Sequence, residues 1–347
     1  MKFKIVCCIL FASLFIGGSI VNSSNIICNK TKWVQPDNDN SNLPVWGHKN
    51  GIRVGIAPTP GPRGLLRIYA PYLGHKYNKT INFIAFEPIV AGDRFRALSE
   101  LEMSNLDNVR GKRFWSSNDS VCIEVSSVTP PAKGVIKTIN GVETLTVYIY
   151  SETFDNGAQV YVRLRFSEDN PYEIELTTNA TFTSKKLEHF ILTATMGNFA
   201  RLRTLYLSDY KKSSLELWPN YTGSNFTDHD STSVDNMIKE KYGGVFFIAS
   251  TNEKNPQKVD YNPHTKEHWK YYGKGATQYW YTPNPNKYMQ GLVNGRYTYW
   301  ASKAPIPGGI SFENFELKSP FINGEKFYFG VTPMSPEKLI EKIKSNN

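Results

Sequence analysis

The fold is decided by the stretch Gln159-Val160-Tyr161-Val162-Arg163-Leu164-Arg165-Phe166 and, five residues later, Tyr172-Glu173-Ile174-Glu175-Leu176-Thr177-Thr178. In both segments apolar residues alternate with polar or charged ones. A period of two is typical of a β-strand with one buried face. The intervening Ser167–Pro171 is rich in turn-forming residues, so we predict a hairpin.

The charges of this hairpin suggest a register. If Phe166 lies opposite Tyr172, then Arg165 faces Glu173 and Arg163 faces Glu175. Cross-strand pairs of opposite charge stabilise a sheet by roughly 0.2–1 kcal/mol each. We therefore interpret these arginines as structural rather than catalytic.

Similar short segments, β-branched or aromatic and bounded by turn residues, recur along the chain. Examples are Leu66–Ala70, Ile81–Phe86, Phe190–Thr195 and Lys326–Val331. Many short strands with turn punctuation favour an all-β protein. We predict a large antiparallel β-sandwich, of the jelly-roll or supersandwich type, with one or two short helices.

One predicted helix lies at the C-terminus. Ser335 has the character of an N-cap, and Leu339 and Ile343 belong to an apolar stripe at helical spacing. A second short helix is predicted over Thr232–Tyr242, ended by Gly243 and its neighbour.

The composition indicates a globular protein with a preference for anionic partners. The 347 residues are 40% hydrophobic, which argues against disorder. Lys and Arg number 40 against 31 Asp and Glu, a formal net charge of +9. Such a charge attracts acidic ligands electrostatically, without specifying any chemistry.

Residues 1–23 have the features of a signal peptide. Lys2 and Lys4 precede an apolar run from Ile5 to Val21. The alternative is an uncleaved membrane anchor, but Gly17 and Gly18 interrupt a run of marginal length for a span. We predict an exported protein, periplasmic or secreted, with a single domain over residues 24–347 and no stable membrane insertion after cleavage.

The cysteines agree with export. Cys7 and Cys8 lie in the predicted signal peptide, whereas Cys28 and Cys122 remain and could pair in an oxidising compartment. Two cysteines are too few for a cysteine-based zinc site. A lipid-anchored Cys28 is the competing interpretation, although Ile27 before it is not a small residue.

Several motifs are absent from the sequence: a phosphate-binding glycine loop, a His-Glu-x-x-His pair and a Gly-x-Ser-x-Gly elbow. These absences disfavour nucleotide-dependent, zinc-protease and hydrolase-elbow chemistry. We predict neither a cofactor nor a bound metal, and no nucleic-acid partner.

The segment Gly61–Lys76 concentrates cations, tyrosines and a histidine around one predicted strand. Arg67 and Tyr69 share a strand face, so together they could bind a carboxylate and present a phenol. Arg63 and His75 flank that strand. The alternative is a solvated edge with a structural histidine.

A second arginine-rich segment follows the predicted strand that ends at Thr195, where Arg201 and Arg203 share a face. Arginine suits bidentate carboxylate recognition. Glu87 could be a ligand or a base. Salt bridges are the structural alternative for all three residues.

The most aromatic stretch runs from His264 to Lys274 and continues through Tyr281. Aromatic faces pack on sugar rings, and cations hold acidic groups, so the mixture suits a glycan cleft. His264 and His268 have a spacing that could bind a metal on a helix, but Pro263 makes a helix doubtful. An aromatic core is the alternative. The residues of interest in this stretch and just beyond it are Tyr271, Lys274, Trp280 and Trp300.

Four segments carry a family resemblance. They are Gly61–His75, Ser99-Glu100-Leu101-Glu102, Gly111-Lys112-Arg113-Phe114-Trp115 and Ser311-Phe312-Glu313-Asn314-Phe315-Glu316-Leu317. With these segments the chain resembles secreted β-sandwich proteins of bacterial polysaccharide-utilisation systems, and more narrowly the oligosaccharide dehydratases of marine ulvan degradation. The likeness covers most of the mature chain, but none of the segments is a catalytic signature.

The resemblance implies elimination of water across C4–C5 of a non-reducing terminal uronate. Such a reaction needs a cation against the carboxylate, a base for the C5 proton and an acid for the departing hydroxyl. Our candidates are Arg67 and Arg201 for the cation, His75 or His264 for the base, and Tyr69 or Tyr271 for the acid. Further substrate contacts are expected from Arg63, Lys274, Trp280 and Trp300.

Three alternatives stay open. A polysaccharide lyase needs the same groups, with a sugar as the leaving group. A non-catalytic glycan-binding protein would use Trp269, Trp280 and Trp300 as a platform and need no base. A glycoside hydrolase would need two carboxylates across a cleft, from among Glu87, Glu100, Glu102 and Glu313.

Overall fold

Two large antiparallel sheets packed face to face make up the computed structural model of the protein. It describes residues 32–345 except 37–42, 60, 76–78, 122–129, 222, 224, 257–260, 262 and 298–308. All strand pairings found among these residues are antiparallel, and the protein is an all-β sandwich, as predicted.

The first sheet has nine strands. Their spatial order is β1 (Trp33–Val34), β2 (Val45–His48), β3 (Arg53–Gly55), β4 (Leu65–Tyr69), β5 (Thr80–Val90), β11 (Leu187–Thr195), β19 (Ser311–Pro320), β18 (Gln290–Arg296) and β14 (Asp230–Ser233).

The second sheet has eleven strands. Nine form a continuous path in the order β13 (Lys211–Ser213), β12 (Leu202–Tyr206), β16 (Val245–Thr251), β17 (Thr277–Thr282), β20 (Glu325–Thr332), β10 (Glu173–Ala180), β9 (Val160–Ser167), β8 (Val142–Ser151) and β6 (Phe114–Ser117). The other two are β15 (Ile238–Lys239), which pairs with β16, and β7 (Val135–Ile139), which pairs with β8.

The core lies between the two sheets. Trp280 on β17 is fully buried, and its indole N–H donates to the carbonyl oxygen of Phe315 on β19, at 2.9 Å. Phe247 on β16 stacks on the Phe315 ring, with 4.8 Å between the centroids. These contacts join the two sheets at the centre of the sandwich.

The edges of both sheets are short. In the described part of the chain β1 has two residues and β14 four, while β13, β15, β6 and β7 have between two and five. Each sheet therefore ends in strands that offer few unpaired backbone groups.

The 159–178 hairpin forms with the predicted faces but a different register. Glu175 pairs with Arg165 and Thr177 with Arg163, two residues away from the predicted alignment. A shift of two leaves every side chain on its predicted face. The predicted Arg163–Glu175 ion pair still forms, diagonally, at 2.6 Å, and Arg165 lies 3.5 Å from the same carboxylate.

The described residues include two α-helices, α1 (Ser214–Leu217) and α2 (Pro336–Ser345). Helix α2 confirms the C-terminal prediction, because Leu339 and Ile343 pack against Ile248 and Tyr279 of the second sheet. The predicted helix over Thr232–Tyr242 is wrong. Strands β14 and β15 and a 3-10 turn take its place, since both ends of that segment find strand partners.

None of the helices in the described part of the chain combines the length and hydrophobicity that a bilayer crossing requires.

Candidate functional site

Buried polar side chains collect on the outer face of the nine-stranded sheet, the face turned away from the core. Glu87 on β5 and Glu316 on β19 flank the central strand β11 and point to this side, as does Thr193 between them. All three are buried. Buried ionisable groups need partners, so the loops that cover them are the place to look for function.

Arg96 supplies the partner. One of its guanidinium nitrogens, Nη1, donates to Glu87 Oε2 and to Glu316 Oε2, each at 2.7 Å. The carboxylates are 4% and 1% exposed, whereas the Arg96 side chain is 25% exposed. Arg96 therefore covers two buried carboxylates and presents one edge to solvent.

His229 completes this group, which we call the Arg96 cluster: Arg96, Glu87, Glu316, His229 and Asn294. His229 Nε2 lies 3.0 Å from Glu316 Oε1 and 3.2 Å from Arg96 Nη2. Asn294 Nδ2 is 3.3 Å from the same nitrogen. The His229 side chain is 31% exposed. An imidazole held by a buried carboxylate and open to solvent is the arrangement expected of a general base.

The charge of the cluster is close to balanced. Burial, together with the neighbouring Glu316 carboxylate, raises the pKa of Glu87 to about 8 against the opposing effect of Arg96. Two carboxylates that share one guanidinium repel each other, and one of them gains by holding a proton.

A second cation lies beside the cluster on β18. Arg296 donates to buried Glu313 on β19 at 2.5 Å and lies over the exposed Phe226 ring, 4.4 Å from its centroid. Burial raises the pKa of Glu313 to about 7, opposed by Arg296. Phe226 and His229 are on one segment that runs along β18, since the Thr227 N–H donates to the Gly295 carbonyl oxygen.

Tyr221 contributes a phenol near Arg296. Its hydroxyl is covered and has no hydrogen-bond partner among the described residues. Desolvation raises its pKa, and the nearby Arg296 opposes that rise.

Two of the predicted catalytic residues, His75 and Tyr271, meet at a different place. Their rings are in edge-to-face contact with 4.7 Å between the centroids. Burial and the nearby Lys79 lower the pKa of His75 to about 4, so its imidazole is neutral at pH 7. Both ring nitrogens are covered and have no hydrogen-bond partner within the described part of the chain.

The polar atoms of this pair are covered, although His75 as a residue is half-buried. Tyr271 is 1% exposed, and its hydroxyl donates to the Lys274 carbonyl oxygen at 2.6 Å. Gly273 packs so closely that a Cβ atom there would lie 2.5 Å from His75 Nε2. Among the described residues, nothing at this pair presents a reactive atom to a cleft.

The predicted substrate-binding arginines make internal contacts. Arg63 forms a two-nitrogen ion pair with Asp107, with distances of 2.9–3.1 Å. Arg67 is fully buried and donates to the Pro62 carbonyl oxygen at 2.5 Å. Arg201 is 3% exposed and shares Glu253 with Arg203. The salt-bridge alternative describes Arg201 as it stands, and Arg63, for which a solvated edge was the alternative, is also in an ion pair.

The remaining predicted site residues are scattered. Tyr69 is buried on β4, His264 is exposed in a turn, and Lys274 is exposed. The expectation that Trp280 faces a ligand is wrong, because its ring fills the core between the sheets. Trp300 lies outside the described residues, as do Cys28 and Cys122.

Arg96 and His229 were missed by the sequence analysis, and Glu316 was quoted without a role. Arg96 is 133 residues from His229 and 220 residues from Glu316 along the chain, so the three residues form no local motif. One signal was available: Ser311–Leu317 reads as a buried strand, yet Glu313 and Glu316 interrupt it. Acidic residues in a strand buried on both faces indicate partners elsewhere.

No protein-family model matches the chain, and no curated protein matches it. Within the described ranges, no group of three or more His, Cys, Asp or Glu residues could hold a metal ion. The argument for function therefore comes from the geometry and charge of the outer face.

Proposed function

We propose that the protein removes a proton from the uronic acid of an acidic oligosaccharide and eliminates the C4 substituent, with the Arg96 cluster as its reaction centre. The observation that carries this proposal is the partly exposed His229 imidazole, fixed by buried Glu316 and adjoining Arg96. The family resemblance and the net positive charge support the same substrate class.

The chemistry follows from the requirements of elimination next to a carboxylate. Arg96, with Arg296 nearby, can donate hydrogen bonds to the uronate carboxylate and so make the C5 proton more acidic, although each guanidinium already has a buried carboxylate partner. In the tautomer in which His229 Nε2–H donates to Glu316, the lone pair of Nδ1 is free to take the C5 proton. Arg96 Nη2 and Asn294 Nδ2, which can only donate, then make no hydrogen bond to Nε2. The C5–H electron pair then forms the C4–C5 double bond while the C4–O bond breaks.

The leaving oxygen must be protonated as it departs. Because the hydroxyl of Tyr221 beside Arg296 is covered, this proton comes from solvent water. When the C4 substituent is a hydroxyl the product is water and the enzyme is a dehydratase. When it is another sugar the chain is cut and the enzyme is a polysaccharide lyase. Both leave the same 4,5-unsaturated uronyl end.

The Arg96 cluster is preferred to the His75–Tyr271 pair because a substrate must touch the base. His229 is 31% exposed, whereas the ring nitrogens of His75 are covered. A glycoside hydrolase is less well supported. Glu87 and Glu316 meet on one Arg96 nitrogen and are both buried, so they do not face each other across a cleft.

The test follows the ultraviolet absorbance of the unsaturated uronate while the purified protein is mixed with uronate-ended oligosaccharides and, separately, with uronate-containing polymer. We expect His229→Ala to lower the rate by at least about 100-fold, the contribution of a general base. Chain length measured on the same samples separates dehydratase from lyase.

The control is His268→Ala, which removes an exposed histidine outside the Arg96 cluster and should leave the rate unchanged. His75→Ala decides between the two candidate bases. Loss of activity in His75→Ala with full activity in His229→Ala would transfer the reaction to the His75–Tyr271 pair. No absorbance change with any substrate, despite measurable glycan binding, would favour the non-catalytic alternative.

A further inference from the structure

A cavity of about 360 Å³ opens on the other side of the sandwich, on the outer face of the eleven-stranded sheet. Its floor consists of side chains from β8, β9, β10 and β20, including Thr144, Arg165, Glu175 and Tyr328. The volume lies within the range of small-molecule sites. Neither the sequence analysis nor the elimination chemistry uses this cavity.

One wall of the cavity belongs to a hairpin. It is formed by the turn between β7 and β8, where Asn140 and Gly141 have φ angles of 51° and 81°. Two consecutive positive φ values are typical of the tight turn that best fits a twisted hairpin. The cavity is therefore built by regular secondary structure and does not depend on a long loop.

The carboxylate at the floor is already neutralised. Glu175 accepts from Arg163 at 2.6 Å and from the Tyr328 hydroxyl at 3.2 Å, and Arg165 lies 3.5 Å away. Two guanidinium groups thus surround the Glu175 carboxylate, which balances one of their two positive charges. Asp169 at the cavity rim offsets the other positive charge. The cavity has no surplus positive charge to attract an anion.

A second carboxyl group lies beside it. Burial raises the pKa of Glu173 to about 7, although the Tyr279 hydroxyl and the Asn170 amide donate to it at 2.8 and 2.9 Å. At neutral pH the Glu173 carboxyl is protonated in part of the molecules, where it can donate a hydrogen bond, and ionised in the rest, where it only accepts. Alternating donors and acceptors match the hydroxyl groups of a sugar, each of which both donates and accepts.

An aromatic ring completes the lining. Tyr328 is half-buried on β20 and packs against Tyr281, with 5.3 Å between the ring centroids. Tyrosine provides an apolar surface for the C–H face of a sugar and a polar hydroxyl at its tip.

We propose that this cavity is a second carbohydrate site, specific for a neutral sugar residue, on the face opposite the Arg96 cluster. The balanced charge excludes preference for a uronate, and the mixture of donors, acceptors and an aromatic ring selects a polyhydroxylated ring. The site stands on its own contacts and does not require the elimination reaction. Two sites on opposite faces could hold a polymer that contains both neutral and acidic residues.

The experiment measures binding of glucose, galactose, mannose and xylose, and of glucuronate as the charged counterpart, by saturation-transfer NMR and titration calorimetry on the full chain. We expect at least one neutral sugar to bind, more tightly than glucuronate. Tyr328→Ala should weaken that binding by about tenfold, because it removes the aromatic contact.

The matched control is Tyr148→Ala. Tyr148 is also a half-buried tyrosine on the outer face of the eleven-stranded sheet, but it does not line the cavity. Val142→Trp is a second variant that fills the cavity from its half-buried edge, so that the test survives if Tyr328→Ala does not fold. Both cavity variants should lose binding while Tyr148→Ala retains it.

Three results would overturn the proposal: no binding of any of the four neutral sugars, glucuronate bound as tightly as the best of them, or equal weakening by Tyr148→Ala.

Discussion

Gly273 lies between His75 and Tyr271, and its missing side chain is what lets the two rings meet. A Cβ atom at this position would be 2.5 Å from His75 Nε2 and 2.7 Å from the Tyr271 hydroxyl oxygen. Real Cβ atoms do not approach other atoms this closely, so a substitution must displace one of the rings. The contact between the two rings therefore requires glycine at position 273, which has only a hydrogen atom where other residues have a Cβ.

We therefore expect Gly273→Ala to destabilise the protein by about 1–3 kcal/mol, the usual cost of overpacking a filled site. Gly275→Ala is the matched control two residues away, because the nearest atoms to its Cβ are 3.9 Å distant. Urea denaturation of both variants measures the difference. Equal stability of the two would show that the His75–Tyr271 contact yields without cost.

At the scale of elements, helix α2 shows what a periodic pattern can and cannot predict. Its apolar stripe places Leu339 and Ile343 on one face, and that face is buried. The segment 232–242 has apolar residues at the same spacing, Val234, Met237 and Ile238, but its ends pair with β18 and β16 instead. Local propensity is a weak guide where a neighbouring strand offers backbone hydrogen bonds.

Docking of α2 predicts a position-dependent effect of mutation. Ile343→Ala removes a side chain that is 6% exposed and packed against the second sheet, and should cost about 2 kcal/mol or more. Lys342→Ala, one residue earlier and exposed, should change stability by less than about 0.5 kcal/mol. Thermal unfolding followed by circular dichroism checks both. Similar losses from the two changes would mean that α2 is not docked as described.

The hairpin marks the limit of sequence reasoning about strands. Alternation over 159–166 assigned each side chain to the correct face, because the period of two survives any even shift. The register was two residues off, since the charges Arg163, Arg165, Glu173 and Glu175 can be paired in more than one alignment.

The candidate site was less accessible to prediction than the strands. Arg96, His229 and Glu316 come from a loop, the approach to an edge strand and a central strand. They meet only because β5, β11 and β19 are neighbours. No local sequence pattern predicts that order of strands. Trp280 shows the converse, since it belongs to an aromatic-rich stretch that suits a glycan surface, yet its own ring lies in the core.

For the molecule as a whole, two buried glutamates, Glu87 and Glu313, and two half-buried ones, Glu173 and Glu325, shape the dependence of stability on pH. Burial is the main cause of a raised pKa in each, to about 8 in Glu87 and about 7 in Glu173, Glu313 and Glu325. A carboxyl whose folded pKa is above its unfolded value stabilises the fold fully at low pH. That contribution is lost as pH rises through the folded pKa.

We expect the free energy of unfolding to fall between pH 6.5 and 8. His75 does not oppose this trend, because its lowered pKa reduces the free energy of unfolding only below about pH 6.5. The pKa of Lys79 is lowered to about 8, so Lys79 raises the free energy of unfolding as the pH approaches and passes 8. Glu173→Gln should make the fall shallower, by about 1 kcal/mol per pH unit at most. Urea titrations at several pH values test this, and an unchanged slope in Glu173→Gln would contradict the assignment.

The short strands at the sheet edges affect how readily the protein aggregates at high concentration. A sandwich with two wide sheets has four borders at which another copy could add a strand and begin an aggregate. Within the described residues, no strand at these borders is longer than five residues. A strand from another copy could therefore form only a few backbone hydrogen bonds with it. The protein is thereby protected against growing into fibres through its own edges.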